Sequence, residues 1–368
     1  MKKLSLLILS IFVLTVSSSD LRELTEGELK SLIKDSNWLS DNLFIQQNFQ
    51  QGINLVYQQN EIQSYINQVV IEYLEASDED FSNEELWGIL NPIKESAFEE
   101  AEEYQSILDA MPLQTASSLK TSQELYRFNR NLLNQIADYL WRNSRFTITL
   151  IEQLESGDLE KYDYQTGRSY ILNADFLNIL ADFNEASVVV QEKGTLRREL
   201  LELDSKNVKL YALFNRAHGK YLMGELTPRD MQRYMDDSED LYDEISNSKD
   251  ISNIREIIQE FADNFAEISK KSEEIREFEG LMQDYVETSD LYVSAILKSA
   301  DGLIAGTKFY YKNRYDLNDE ITSSSEFDYI LAFQTFNQEQ MAISADKYNI
   351  LSQEITANVL PIIASLWK

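Results

Sequence analysis

The sequence predicts an all-α protein, an elongated bundle of long antiparallel helices with coiled-coil-like packing. Three observations carry this expectation. Only 4 prolines and 11 glycines occur in 368 residues, so the residues that punctuate secondary structure are scarce. Apolar residues recur every three or four positions along most of the chain, the period of one helix face rather than of a strand. Between Ile254 and Leu303 the repeat sharpens to seven. Ile254, Phe261, Ile268, Ile275, Met282, Ser289, Ile296 and Leu303 form one series, and Ile258, Phe265, Ser272, Glu279, Val286, Val293 and Ala300 form its companion; twelve of the fifteen are apolar. A strict heptad favours supercoiling against a neighbour. Read as one helix, this seam is about 75 Å long at 1.5 Å per residue and needs partners of comparable length.

The elements follow in order. Residues 1–18 read as a signal peptide. Lys2 and Lys3 are its basic region, Leu4–Val16 its apolar core, and Ser17–Ser18 supply small residues for cleavage. The core is shorter than the roughly 20 residues that span a bilayer. The expected location is therefore secreted or periplasmic, with residues 19–368 forming the helical bundle. Asp20 with Glu23 and Thr25 with Glu28 are capping boxes, in which each side chain satisfies a free backbone N–H of the other. A helix is expected over Trp38–Glu75. Another begins at Ser82 with Glu85, carries a kink or a short leading helix at Pro92, and ends at Met111-Pro112. Thr121 with Glu124 starts a helix whose apolar stripe reaches Gly157. Gly157–Gly167 is expected to be a loop, with a possible sub-boundary at 156–168. Helices are expected over Tyr170–Lys193 and Thr195–Ala217, with His218 to Gly224 irregular. Thr227-Pro228 is a clear start, Thr as N-cap and Pro at the first helical position. After the seam and a polar gap at Leu317–Ser325, a last helix or broken pair carries Phe327, Ile330, Leu331, Phe336, Met341, Tyr348, Leu351, Ile355, Val359 and Ile362 on its stripe.

Composition excludes several chemistries. There is no cysteine, which removes disulfides, thiol catalysis and thiolate metal sites. The formal charge of −30 argues against nucleic acid, whose binding needs Lys and Arg to neutralise phosphates, and against wide contact with anionic lipid. The single histidine, His218, has no G-x-S-x-G elbow to serve and reads as a helix C-terminal residue beside Gly219. No phosphate-binding glycine loop is present. The acidic run with Asp236, Asp240, Asp243 and Glu244 reads as a solvated helix face. No catalytic residue, metal ligand or cofactor is expected.

One segment stands out against this acidic background. In Ser299–Asp316, Gly302 and Gly306 have the spacing that lets helices approach closely. Lys308, Phe309, Tyr310, Tyr311, Lys312, Arg314 and Tyr315 follow as a basic, aromatic cluster. Such side chains suit an acidic partner, a glycan or a membrane interface; alternatively, the glycines end the long helix and the tyrosines plug a bundle. The functional expectation is a non-enzymatic protein that acts through protein–protein or surface interaction, its partner unknown. One alternative is a helical membrane-active or pore-forming protein using Leu291–Tyr311, although Lys298, Asp301 and Lys308 within it argue against stable membrane insertion. Another is a sensor or small-ligand-binding bundle with a core pocket.

Overall fold

A computed structural model describes residues 51–56, 58, 59, 62, 65, 66, 83–110, 120–155, 162–189, 195–270, 272–359, 361 and 362. The expected signal peptide and most of the Trp38–Glu75 helix lie outside these residues. The described elements are all helical: α1 (Asn83–Ser96), α2 (Glu99–Asp109), α3 (Lys120–Glu155), α4 (Tyr162–Val189), α5 (Leu196–Leu222), α6 (Pro228–Ile245), α7 (Ser248–Ser269), α8 (Glu273–Arg276), α9 (Glu279–Lys312), α10 (Asp319–Thr322) and α11 (Ser325–Glu354), which ends in a π-helical turn, Ile355–Val359. The chain forms an all-α helical bundle, and no strand occurs among the described residues.

It divides into two units, Leu24–Ile179 and a second that contains Leu180–Lys368. In the first, α3 is the spine. Leu132, Leu133, Ile136, Tyr139, Leu140, Phe146, Leu150 and Ile151 of α3 are buried; Leu132, Ile136, Tyr139, Phe146 and Leu150 lie on the predicted stripe, and Leu133, Leu140 and Ile151 widen it. Leu90 of α1 and Ala101, Tyr104 and Leu108 of α2 complete the core. The break between α1 and α2 falls at Ala97–Phe98, just beyond Pro92. Phe176 of α4 packs on Tyr139 in this core, ring centroids 5.4 Å apart. α4 starts at Tyr162, so the second half of the expected Gly157–Gly167 loop is helical.

The second unit runs up, down, up, down. Asp204, Asn207, Phe214 and His218 of α5 meet Tyr292, Ser299, Gly306 and Tyr310 of α9 in ascending order, so these helices are parallel. Tyr348, Asn337, Gln334 and Phe327 of α11 meet Tyr285, Lys298, Gly302 and Phe309 of α9, so this pair is antiparallel. α6 and α7 together make the second strut. Thr227 Oγ1 caps α6 by accepting from Asp230 N at 3.1 Å, as the sequence predicted.

The heptad seam is not one beam. α7 and α9 are antiparallel: Arg255 pairs with Asp290 at 2.9 Å and Phe261 packs on Tyr285 at 5.2 Å. The chain therefore reverses between Lys270 and Phe278. The reason lies in the two polar members of the companion series. Ser272 leaves the packing position and caps α8, its Oγ accepting from Ile275 N at 3.4 Å. Glu279, the first residue of α9, is exposed. Ile275 is fully buried within the turn, so the count of seven passes through a hairpin because both arms face one core.

α5 also differs from expectation. It continues through His218 and Gly219 to Leu222, and the reversal waits for Gly224, whose φ of 68° lies in the left-handed region that glycine tolerates.

Candidate functional site

Ser299–Asp316 forms the C-terminal part of α9 and the turn after it, and its two faces do different things. Gly302 and Gly306 are buried, and neither ends the helix. A Cβ on Gly302 would lie 3.2 Å from the Cα of Gln334, and one on Gly306 would lie 2.4 Å from the ring of Phe214. The glycines are thus where α11 and α5 come closest to α9. Next to them, Phe309 and Tyr310 are buried with Phe214, His218 and Phe327, and half-buried Tyr221 joins the cluster, ring centroids 5.0 to 6.3 Å apart. His218 Nδ1 and the Tyr310 hydroxyl share a hydrogen bond. His218 is a core residue and not a helix-terminal charge: burial pushes its pKa down to about 4, which keeps it neutral near pH 7.

The outer face does not converge on one patch. Lys308 lies over the Tyr242 ring at 5.9 Å, and the Tyr242 hydroxyl donates to Asp301 at 2.7 Å. Tyr311 donates to Gln232 at 2.8 Å. Arg314 stacks on Tyr311 and Tyr315, 3.9 and 4.6 Å from the ring centroids. Lys312 sits 3.7 Å from Glu326. Tyr315 is 78% exposed. The basic groups are spread between α6, α11 and the terminal turn. Exposed ion pairs and cation–π contacts of this kind are each worth about 0–1 kcal/mol. The triple substitution of Lys308, Lys312 and Arg314 by Ser is expected to leave the far-ultraviolet circular dichroism unchanged and to cost no more than about 2 kcal/mol in urea unfolding. A fully unfolded product would show that these charges carry packing that their exposure does not suggest.

A ladder of polar groups fills the interface of α5, α9 and α11. Ser299 Oγ donates to Asn207 Oδ1 at 3.1 Å and accepts from Gln338 Nε2 at 2.7 Å. Asn337 Nδ2 donates to the Lys298 carbonyl at 3.1 Å. Further along, Asn184 donates to Asp204 at 3.0 Å, which also accepts from Tyr292. Burial outweighs those bonds and pushes the Asp204 carboxyl up to about 6. Asp204 and His218 therefore act in opposite directions on stability. The raised carboxyl adds stability below the unfolded value of 3.8 and loses it as pH rises through about 6. The depressed imidazole adds stability above 6.5 and loses it as pH falls towards about 4. Between pH 7 and 5 the histidine costs about 2 kcal/mol and the carboxyl returns about 1. Asp204→Asn should then lose about 1 kcal/mol more than the parent on going from pH 7 to 5, and His218→Gln about 2 less. Urea titrations at the two pH values read this directly.

One surface was not anticipated from sequence. Tyr329, Phe336, Ile343 and Ile350 of α11 are 69, 58, 60 and 56% exposed, each seven residues from the next. They form an apolar column on the outside of a helix whose inner face holds Phe327, Gln334, Asn337, Tyr348, Leu351 and Ser352. Phe336 is thus on the opposite side from the stripe to which its spacing assigned it. Its heptad partners are legible in the sequence, but α11 carries two apolar series, and nothing in the sequence says which one is covered. The tertiary contacts decide it: Gln334, Asn337 and Gln338 meet Gly302, Lys298 and Ser299 of α9, and Phe327 and Tyr348 pack on the same side.

No family model, curated protein or solved structure matches this chain. Among the described residues no helix is long and apolar enough to cross a membrane; Leu291–Tyr311 is the C-terminal part of α9. No group of three or more His, Asp or Glu side chains among them is placed to hold a metal ion. Asp236, Asp240, Asp243 and Glu244 are exposed on α6, with Glu244 paired to Lys206 at 3.1 Å.

Proposed function

We propose that this protein works without catalysis, outside the cytoplasm, by presenting a helical surface to another macromolecule. The observation that supports this reading is the outward column Tyr329–Phe336–Ile343–Ile350. Single exposed apolar residues are ordinary, but four repeated at one heptad position of a helix are the spacing with which helices pair. The row contributes little to the core, since the opposite face of α11 makes the packing contacts. The sequence of residues 1–18 supports export.

The test compares the parent protein with Phe336→Ser/Ile343→Ser as parallel baits, using photo-crosslinkers placed along α11. A partner crosslinked at α11 to the parent and lost from the double variant is the expected result. Both baits should have unfolding free energies in urea within about 0.5 kcal/mol of each other, because the sites are exposed. Identical capture by both baits, or turnover of a defined substrate abolished by one carboxylate substitution, would overturn the reading.

A further inference from the structure

The chemistry around the α11 column says what kind of molecule covers it. The column extends over 21 residue steps, about 32 Å at helical rise. Its constant seven-residue spacing matches the repeat with which a second helix presents its own apolar seam, whereas a strand has period two. Tyr329 is stacked on Phe333, with centroids 6.2 Å apart and planes within 13°, which widens the row at its N-terminal end. The positions three and four residues beyond each apolar side chain flank the row. They hold exposed Glu339, Asp346 and Glu354, against a single exposed base, Lys347. Exposed Asp328 adds to this at the N-terminal end, where Glu326 is paired with Lys312. The flanks are therefore acidic, in a chain of net charge −30.

Resting on the reading above, we infer that the Tyr329–Phe336–Ile343–Ile350 column docks an amphipathic α-helix of a partner protein whose apolar heptad seam is flanked by lysine or arginine. Flanking charges of opposite sign select partner and orientation in helix pairs, and like charges reject. A second copy of the chain would set acids of α11 against acids. An anionic bilayer would be repelled for the same reason. The seam is one residue wide for most of its length, so the affinity is modest and salt-sensitive.

The experiment uses the full chain and two labelled synthetic peptides of four heptads. Both have leucine at the two seam positions; one carries lysine at the flanking positions and the other glutamate. Fluorescence anisotropy follows binding, with sedimentation of the protein alone and flotation with phosphatidylserine vesicles as parallel arms. The expected result is binding of the lysine peptide, weakened at least tenfold by Phe336→Ser/Ile343→Ser and at least tenfold by Glu339→Lys/Asp346→Lys, with no binding of the glutamate peptide. The two variants separate the apolar and charged contributions, and both alter only exposed positions. Column-dependent binding of the glutamate peptide, of vesicles or of a second copy would overturn the basic-helix inference and leave the surface-interaction reading standing. Lysine-peptide binding indifferent to Phe336→Ser/Ile343→Ser, or no column-dependent association in any arm, would overturn both.

Discussion

Tyr310→Ala should destabilise the second unit by about 3–5 kcal/mol, the range for removing a large aromatic side chain from a packed core. Tyr310 is fully buried. Its ring lies against Phe214, His218, Tyr221, Phe309 and Phe327, at centroid distances of 5.5 to 6.3 Å. No single neighbour can move in to fill the space, because those five rings come from α5, α9 and α11 and are held by their own helices. Tyr310→Phe keeps the ring and removes the hydrogen bond to His218, so it should cost about 1 kcal/mol. Urea unfolding monitored by circular dichroism separates the two. A cost below 1 kcal/mol for the alanine variant would mean that the aromatic cluster is not packed as described.

Gly306→Leu should cost about 3 kcal/mol or more. The Cβ alone would fall 2.4 Å from Cε2 and 3.0 Å from Cδ2 of Phe214, and Phe214 is itself buried against His218 and Tyr310. Over-packing of this kind costs about 1–3 kcal/mol for a small addition and more for a larger one. Gly306→Ala carries the same first clash but gains about 1 kcal/mol of helix propensity, so a net loss of about 1–2 is expected. Gly88 of α1 is the control. A Cβ there meets nothing within 4 Å, and Gly88→Ala should stabilise by about 0.5–1 kcal/mol. Equal gains at Gly88 and Gly306 would show that α5 and α9 do not approach so closely.

These two sites show how much of the candidate region was legible. The Gly302/Gly306 spacing correctly announced close helix approach, because only a missing Cβ permits it. The adjoining Lys308–Tyr315 cluster was visible as a composition anomaly, but composition has no direction. A helix turns 100° per residue, so Phe309 and Tyr310 enter the core while Lys308 and Lys312 stay outside. His218 was misassigned for a related reason. A His-Gly pair reads as a helix end, yet α5 continues past it because the Tyr310 hydroxyl and the surrounding rings hold the imidazole in the core. The outward column on α11 is masked in the sequence because Phe336 shares its helix with a second apolar series.

By itself the sequence determined the helical class, the capped start at Thr227-Pro228, the long α3 stripe and the exclusion of cysteine chemistry. These are local properties: period, capping and composition act within one segment and need no partner. Tertiary structure alone decided that the Ile254–Leu303 seam folds into a hairpin and that α5 and α9 run parallel. It alone decided that the Phe327, Asn337 and Tyr348 side of α11 faces inward while Tyr329, Phe336, Ile343 and Ile350 face out. Periodicity says that a helix has a face to bury, but burial is a relation between two surfaces. At the α9–α11 contact Gly302 leaves room for the Gln334 backbone, and the Lys298 carbonyl and Ser299 hydroxyl pair the Asn337 and Gln338 amides, so this is the face held inward.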